Sequence, residues 1–405
     1  MPIDSMPPPA RVLDVSRLLR RAGRVWTGVD RVELAYLAAL ISDNTPAWGL
    51  ARTPFGYVLL DPEGLAAWHL GVTSGWGASS PDILSRLQRK LSPAAQIAQS
   101  ELRRLAAARC LPRGLARMLR AHLPQGVAYL NTGHSNLSER VLRAVRSLPH
   151  ARIAVFVHDV IPIEFPQYQR AGSVEVFANK MRRVHKFADL ILYNSEDTLR
   201  RTQSVMAPWG RVPKGIVAHL GTVPPAPNAA ELPDGLPPER TYFVTVGTIE
   251  PRKNHAMLLD IWDRLGPDAP ELLICGGRGW NNDAVFDRLD ALGADARVRE
   301  VSGLTDGGLM ALIQGAHGML FPSHAEGFGL PAIEALQLGT PVLCSNMAIF
   351  RETLAEKAFY IDDLDQEIWE KTVIDWSKQA QGGLRVDGFV APTWADHFKI
   401  VLRYT

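Results

Sequence analysis

The most informative stretch of this chain covers residues 321–345 and reads FPSHAEGFGLPAIEALQLGTPVLCS. The apolar residues just before it predict the end of a buried strand. Pro331 suits the first turn of a helix, where its missing N–H is harmless, and Gly339 predicts the end of that helix. The stretch therefore places Glu326 on a loop and Glu334 on the helix that follows.

This arrangement suits a ligand that carries both phosphate and hydroxyl groups. A helix N-terminus attracts phosphate, and glycines let the backbone approach a ligand closely. A carboxylate only accepts hydrogen bonds, so it can hold two neighbouring hydroxyls of a sugar or a ribose. Two glutamates at this separation also occur by chance on solvated helices, but the glycines and prolines around Glu326 and Glu334 favour a nucleotide-sugar site.

The stretch resembles the paired-glutamate motif of the family-4 retaining glycosyltransferases, the glycosyl transferases group 1, whose fold is GT-B. The resemblance implies an α/β fold with two Rossmann-like, doubly wound domains that face each other across a cleft. It also implies that Glu326 contacts the donor sugar and Glu334 the ribose hydroxyls. The backbone contacts that it implies to the sugar and phosphate come from Gly327, Phe328, Gly329 and Leu330.

A second motif follows the predicted strand at Tyr242 and reads GTIEPRKN from Gly247 onward. Two cations, Arg252 and Lys253, follow the carboxyl end of that strand, where α/β sheets place ligands. We expect them to neutralise the departing nucleoside diphosphate. An Arg-Lys pair after a strand is more often a solvated loop, but the segment also resembles the family's phosphate-binding segment, in which Thr248 is a further binding candidate.

Other loops supply weaker candidates. Gly276 follows a strand and indicates either a ligand contact or a tight turn, whereas Gly303 and Leu304 match the positions where the family holds the nucleotide base. In the first half, Gly28 is an isolated glycine where the family often carries a glycine pair.

His158 follows a buried strand. The resemblance implies that His158 positions the donor sugar, although a lone histidine there is more often structural; the adjacent Asp159 is a weaker candidate.

Length and composition favour two domains in one globular chain. The chain has 405 residues, 46% of them hydrophobic, and a formal net charge of +2, which gives no general reason to expect nucleic acid as a partner. We predict an acceptor-side domain at 1–223 and a nucleotide-sugar domain at 224–389, separated by a proline-rich linker. The resemblance implies that the terminal helix, 390–405, packs back on the first domain.

Strands alternating with helices predict parallel sheets in both domains, with one long strand at Ala51–Leu60 among them. The acidic run Asp362-Asp363-Leu364-Asp365 superficially resembles a metal motif. Asp365 is better explained as a helix cap. We therefore expect no metal and no cofactor besides the donor substrate.

The region 84–120 combines many cations with leucines and predicts either solvated helices or contact with anionic lipid headgroups. The cations are Arg86, Arg89, Lys90, Arg103, Arg104, Arg109, Arg113, Arg117 and Arg120. We predict a cytoplasmic protein, with the inner membrane face as the place of any lipid contact. The three cysteines have neither metal nor disulfide spacing, the N-terminus does not resemble a secretory signal, and the sequence contains no long apolar run.

The family resemblance implies a retaining, metal-independent hexosyltransferase that uses a nucleotide-diphosphate sugar. The segment GTIEPRKN looks most like bacterial mannosyltransferases of surface-polysaccharide assembly, so GDP-mannose is the first donor to test. The acceptor would be a glycan or a lipid-linked glycan in surface polysaccharide synthesis. Two alternatives stay open. One is a nucleotide-sugar hydrolase or epimerase of the same fold, and the other is a sugar-nucleotide-binding protein without catalysis.

Overall fold

The computed structural model describes residues 7–88, 90–293, 295–362 and 365–405. Within them the chain forms an eight-stranded and a six-stranded β-sheet, built from consecutive parts of the sequence. We call the eight-stranded sheet with its helices the first lobe, and the six-stranded sheet with its helices the second lobe. The predicted α/β architecture is thereby confirmed.

The first-lobe sheet has the strand order β4-β3-β2-β1-β5-β6-β7-β8. Its strands are β1 (Arg11–Asp14), β2 (Ala47–Thr53), β3 (Gly56–Leu60), β4 (Ala108–Cys110), β5 (Ala128–Asn131), β6 (Arg152–Val157), β7 (Leu190–Tyr193) and β8 (Lys214–Val217). Its α-helices are α1 (Ser16–Arg21), α2 (Gly28–Ser42), α3 (Pro62–Ser74), α4 (Ile83–Arg86), α5 (Pro93–Arg104), α6 (Leu115–His122), α7 (Glu139–Arg146), α8 (Ile161–Glu164), α9 (Ser173–Phe187) and α10 (Glu196–Met206). In the part of the sheet with the order β2-β1-β5-β6-β7-β8, each strand is parallel to its neighbours.

The expectation of one strand at Ala51–Leu60 is wrong. The chain instead forms a hairpin of β2 and β3, which pair antiparallel, and β4 pairs antiparallel with β3. Pro54 has no N–H to donate to a ladder, and Gly56 has a φ of 128°, which a residue with a side chain rarely adopts. The first sheet is therefore parallel in its main part and antiparallel at one edge.

The second-lobe sheet has the strand order β11-β10-β9-β12-β13-β14, and all its strands are parallel. Its strands are β9 (Tyr242–Val246), β10 (Glu271–Cys275), β11 (Val298–Val301), β12 (Gly318–Phe321), β13 (Val342–Ser345) and β14 (Phe359–Ile361). The helices from here to the C-terminus are α11 (His255–Leu265), α12 (Asp283–Asp290), α13 (Asp306–Gly315), α14 (Leu330–Gln337), α15 (Ala348–Leu354), α16 (Gln366–Ser377) and α17 (Trp394–Val401).

Burial explains why the second-lobe strands could be recognised in the sequence. Strands β9, β12 and β13 are buried at every residue and consist mainly of apolar side chains. Continuous apolar runs of this kind are typical of parallel strands that helices cover on both faces. The carboxyl ends of β9, β10, β11 and β12 consequently meet at one edge of the sheet, and the loops that carry the sequence motifs leave from this edge.

The terminal helix α17 contacts the first lobe. The Nδ1–H of His397 donates to the carbonyl oxygens of Ala218 and His219, at 3.1 and 3.0 Å, and its Nε2 accepts from the hydroxyl of Tyr36 on α2 at 2.9 Å. The guanidinium of Arg11 also donates to the carbonyl of Thr405 at 2.7 Å. Polar contacts thus tie the end of the chain to the first sheet.

The chain passes between the lobes twice, after β8 and again before α17. These two connections touch each other, because the N–H of Thr222 donates to the carbonyl of Pro392 at 3.2 Å. A Cβ added to Gly221 would lie 2.2 Å from the backbone nitrogen of Trp394. Only glycine fits at this close approach.

Candidate active site

Glu326 lies at the centre of an ion cluster in the second lobe. One of its oxygens, Oε1, is 2.6 Å from the Nζ of Lys253 and 2.9 Å from Nη1 of Arg252. Burial raises the pKa of Glu326, but the charges of Arg252 and Lys253 outweigh burial and hold the pKa at about 2. Glu326 is therefore a buried carboxylate that stays ionised at neutral pH.

The two cations are themselves fixed in place. Nη1 of Arg252 donates to the carbonyl of Ala325 and Nη2 donates to Glu250, each at 2.5 Å. The Nζ of Lys253 also lies 4.3 Å from the ring centre of Phe321. Burial lowers the pKa of Lys253, and Glu326 opposes this shift. Such a rigid, poorly hydrated pair of cations suits stabilisation of negative charge on a ligand.

Glu334, the second predicted carboxylate, is 3% exposed and faces the other lobe. Its Oε1 lies 2.6 Å from Nη2 of Arg31, which belongs to α2 of the first lobe. Burial raises the pKa of Glu334, and Arg31 opposes this shift. The ion pair therefore joins the two lobes at the floor of the cleft.

The loop between the two glutamates is held by first-lobe side chains. The carbonyl of Gly327 accepts from the side-chain amide of Asn194 at 3.1 Å and from the hydroxyl of Thr198 at 3.3 Å. Gly329 has a φ of 87°, and a Cβ there would lie 2.6 Å from the ring of Phe350. Packing against the protein's own Phe350 thus accounts for Gly329, and the approach of a ligand to the loop glycines stays a prediction.

His158 follows β6 and lines the cleft. Its Nε2–H donates to the carbonyl of Thr132 at 2.6 Å, and burial lowers its pKa to about 4. His158 is therefore neutral at pH 7, and this hydrogen bond orients its ring. The neighbouring Asp159 is half-buried, and burial raises its pKa although Arg252 opposes the shift.

These groups surround a cleft of about 320 Å³ between the lobes. Its walls include nine of the predicted site residues: Gly28, His158, Arg252, Glu326, Gly327, Phe328, Gly329, Leu330 and Glu334. A Cβ added to Gly28 would lie 3.2 Å from the side chain of Leu330, so the first turn of α2 comes close to the start of α14. The cleft thus brings together residues from both halves of the sequence.

The remaining predicted residues lie outside the lining of this cleft. Lys253 adjoins the lining through its contact with Glu326. Thr248 and Gly276 follow β9 and β10, and Gly303 and Leu304 follow β11. Because β11, β10 and β9 are neighbours, the loops that follow them lie side by side along one edge of the sheet. That these loops hold a nucleoside base stays a prediction.

Packing accounts for Gly276 without a ligand, since a Cβ there would lie 1.9 Å from the carbonyl oxygen of Gly247. Thr305, next to Leu304, caps α13 by accepting from the N–H of Gly308 at 3.1 Å. Close approach of two strand ends therefore explains one glycine of the predicted set.

Sequence reasoning missed three residues of the first lobe. They are Arg31, which pairs with Glu334, Asn194, which holds Gly327, and Arg201, whose Nη1 donates to the carbonyl of Glu326 at 3.3 Å. The position of Arg31 in the first turn of α2, just after Gly28, was the available signal. Asn194 and Arg201 follow β7 in a segment without a recognisable motif.

The acidic run contains a helix cap, as expected. Asp365 accepts from the N–H of Ile368 at 3.3 Å at the start of α16, whereas Asp363 and Leu364 lie outside the described residues. Within the described ranges, no group of three or more His, Cys, Asp or Glu side chains is arranged to hold a metal ion.

Most, but not all, of the described cations in the basic region 84–120 are exposed to solvent. Arg103 is buried and pairs with Asp82 at 2.5 Å. Arg89 lies outside the described residues. The exposed cations are Arg86, Lys90, Arg104, Arg109, Arg113, Arg117 and Arg120. The exposed large apolar side chains in or next to this region include Ile83, Leu84, Leu87 and Leu111. Across the described residues, no helix is both long and apolar enough to span a bilayer.

Comparison with known proteins adds an independent view of the chain. Residues 232–385 match the family described as glycosyl transferases group 1. Serotype-specific mannosyltransferase WbdA of Escherichia coli is 28% identical over 237 residues, which are 54% of this chain and 29% of WbdA. O-antigen chain mannosyltransferase RfbU of Salmonella typhimurium is 27% identical over 164 residues, which are 40% of this chain and 45% of RfbU. This chain thus spans less than half the length of either relative.

The structure resembles that of HepE from Anabaena, solved in complex with UDP-glucose. The two align with a TM-score of 0.59 over 97% of this chain and 94% of HepE, at 13% sequence identity. The likeness covers both lobes and concerns the fold. The match to the family covers the lobe that carries Arg252, Lys253, Glu326 and Glu334. Residues 232–385 are therefore similar to the glycosyl transferases group 1, and the fold of the chain is GT-B.

Proposed function

We propose that this protein transfers a hexose from a nucleotide-diphosphate sugar to a hydroxyl of a glycan or lipid-linked glycan, with retention of configuration and without a metal. The observation that carries the proposal is the contact of Glu326 with Arg252 and Lys253 beside the cleft. These cations lie at the carboxyl edge of a parallel sheet, where a diphosphate would lie. The ionised Glu326 is available to accept from sugar hydroxyls.

In this proposal the donor lies across the second lobe. Its diphosphate contacts Arg252, Lys253 and the loop Gly327–Leu330, and its ribose hydroxyls bind Glu334. The base extends toward Gly303 and Leu304. As the bond to the diphosphate breaks, negative charge grows on the leaving group, and the two cations stabilise it. His158, oriented by Thr132, contacts the sugar from the opposite wall.

Mannose is the proposed sugar, because WbdA and RfbU are named as mannosyltransferases. The HepE complex with UDP-glucose supports the wider class of nucleotide-diphosphate sugars. The direct test is a thermal-shift screen of the chain with UDP-, GDP-, ADP- and dTDP-sugars, followed by transfer assays with the sugar that stabilises most. We expect GDP-mannose to give the largest shift.

Product analysis separates the proposal from its alternatives. We expect labelled donor to yield a glycoside with the donor's anomeric configuration, read by NMR, and equal turnover with or without EDTA. Release of free sugar with acceptor present, or an isomerised donor, would instead indicate a hydrolase or an epimerase. Tight donor binding without turnover would indicate a binding protein.

We further propose that the protein works at the inner face of the membrane. The exposed Ile83, Leu87 and Leu111 accompany exposed cations on the same region of the first lobe. Apolar side chains together with cations favour anionic lipid surfaces. Flotation with liposomes that contain anionic lipid should carry the protein upward at low salt, and equal flotation with neutral liposomes would contradict a charge-based contact.

A further inference from the structure

A set of positive side chains gathers on the first lobe beside the cleft. We call Arg17, Arg20, Lys180 and Arg183 the cationic cluster. They belong to two helices, α1 and α9, that flank the loop 132–137 after β5. Arg20 contacts the hydroxyl of Ser135 from one side, and Nη1 of Arg183 donates to the carbonyl of Leu137 at 3.1 Å from the other.

Contacts connect this cluster to the cleft. Nη2 of Arg17 donates at 3.1 Å to the hydroxyl of Thr27, which lines the cleft. The ring of His134 lies 5.5 Å from that of His158, another lining residue, and 6.0 Å from that of Phe177 on α9. Because Phe177 and Lys180 are three residues apart on one helix, they share a face. The cluster thus adjoins the first-lobe wall of the cleft, across from the loop at residues 327–330.

The cluster has too few acids to balance it. Arg17 pairs with Asp30 at 2.6 Å, but Asp30 also pairs with Arg21 at 3.1 Å. Among the described residues, no carboxylate oxygen lies within ion-pair distance of Arg20, Lys180 or Arg183. Burial lowers the pKa of Lys180, and the charges of Arg20, Arg17 and Arg183 lower it further.

Two other acids lie nearby but are already engaged. Asp14 accepts from the hydroxyl of Tyr129 at 3.0 Å and from the amide of Asn136 at 2.8 Å. Glu33 accepts from the N–H of Leu18 at 3.1 Å. Burial raises the pKa of both carboxyls, which disfavours their charged forms. Positive charge is therefore left uncompensated at this end of the first sheet.

From this geometry we infer that the cationic cluster is a binding site for a phosphate or diphosphate group of the acceptor substrate. Arginine forks and a lysine match phosphate oxygens, and a neutral glycan would bring no negative charge to balance Arg20, Lys180 and Arg183. The acceptor's anion would contact the first lobe while its hydroxyl enters the cleft near His158. The inference rests on the proposed function and adds that the acceptor is phosphorylated.

Titration with inorganic pyrophosphate tests the site directly. Because the donor site would also bind pyrophosphate, the titration uses the full chain carrying Lys253→Ala. We expect calorimetry to detect binding in that protein and to find it weakened about tenfold for each side chain lost from the cluster, as for a charged hydrogen bond. The test variant is Lys180→Ala/Arg183→Ala.

A matched control removes the same charge from the same helix. Arg182 and Lys186 are exposed on α9, so Arg182→Ala/Lys186→Ala should leave pyrophosphate binding unchanged. If both double variants weakened pyrophosphate binding equally, the effect would come from the overall charge of the protein, and the proposed site would be wrong. Unchanged binding in the test variant, with its thermal midpoint intact, would also overturn it.

Competition experiments identify the source of the phosphate. Displacement of pyrophosphate by a hexose 1-phosphate would show that a soluble sugar phosphate suffices, and displacement by farnesyl diphosphate alone would indicate a lipid-linked acceptor. Equal displacement by a hexuronate would overturn the assignment to phosphate. In an active preparation, Lys180→Ala/Arg183→Ala should raise the KM for the phosphorylated acceptor about tenfold or more and leave donor hydrolysis without acceptor unchanged.

The outcome for the site can be separated from the outcome for the proposed function. If the natural chain turns over no nucleotide sugar, the proposed function fails, while the pyrophosphate titration still measures the cluster. If transfer occurs but the cluster variants bind pyrophosphate normally, only the present inference fails.

Discussion

The two lobes present charge to the cleft in different ways. In the second lobe, Arg252 and Lys253 are already neutralised by Glu326 and Glu250 at distances of 2.5 to 2.9 Å. In the first lobe, Lys180 and Arg183 lack such partners among the described residues. The second lobe is thus organised before a ligand arrives, whereas the first depends on an external anion to balance its charge.

We expect the largest effect from removing one of the paired cations of the second lobe. We predict that Lys253→Ala or Arg252→Ala lowers kcat on the order of 100-fold, because each change removes one group that stabilises charge on the leaving diphosphate. Steady-state rates with saturating donor and acceptor measure this loss. Arg264→Ala serves as the control, since Arg264 pairs with Glu370 at 2.6 Å on the surface. Turnover near the natural rate in both active-site variants would remove these residues from the mechanism.

An intermediate effect is expected where the lobes meet. Glu334→Gln should raise the KM for the donor about tenfold, because a carboxylate that holds ribose hydroxyls becomes a weaker acceptor. The exposed carboxylate of Glu367 on α16 provides the control Glu367→Gln. If Glu334 serves only to pair with Arg31, then Glu334→Gln will lower the stability of the chain and leave the KM unchanged.

We predict the smallest effect, a change in stability, for the hydrogen bond between α17 and Tyr36 of the first lobe. Tyr36→Phe should reduce the free energy of unfolding by about 1 kcal/mol, because Nε2 of His397 loses its donor. Tyr242→Phe removes a similar buried hydrogen bond, to the carbonyl of Leu312 at 2.9 Å, from the second lobe. Denaturant titration compares the two variants, and an unchanged midpoint in Tyr36→Phe would show that the hydrogen bond contributes nothing to the docking of α17.

The second lobe was largely predictable because its signals are local. Glu326 and Glu334 are separated by one glycine loop and a helix start, and Arg252 and Lys253 directly follow an apolar strand. Short-range patterns of this kind follow from backbone geometry, which single residues such as Pro331 and Gly329 determine.

The first lobe was less predictable because its site is assembled over long sequence distances. Arg17 and Lys180 come together only through the order of strands β1, β5 and β6, and Arg31 meets Glu334 only when the lobes face each other. The hairpin of β2 and β3 was missed for a different reason. Both strands are apolar, so the turn at Pro54 and Gly56 was the sole mark of their separation.

The contact between Thr222 and Pro392 has a mechanical consequence. Since the two connections touch at this point, a change in one of them is transmitted directly to the other. A side chain at Gly221 would collide with the backbone of Trp394 and force the two connections between the lobes apart.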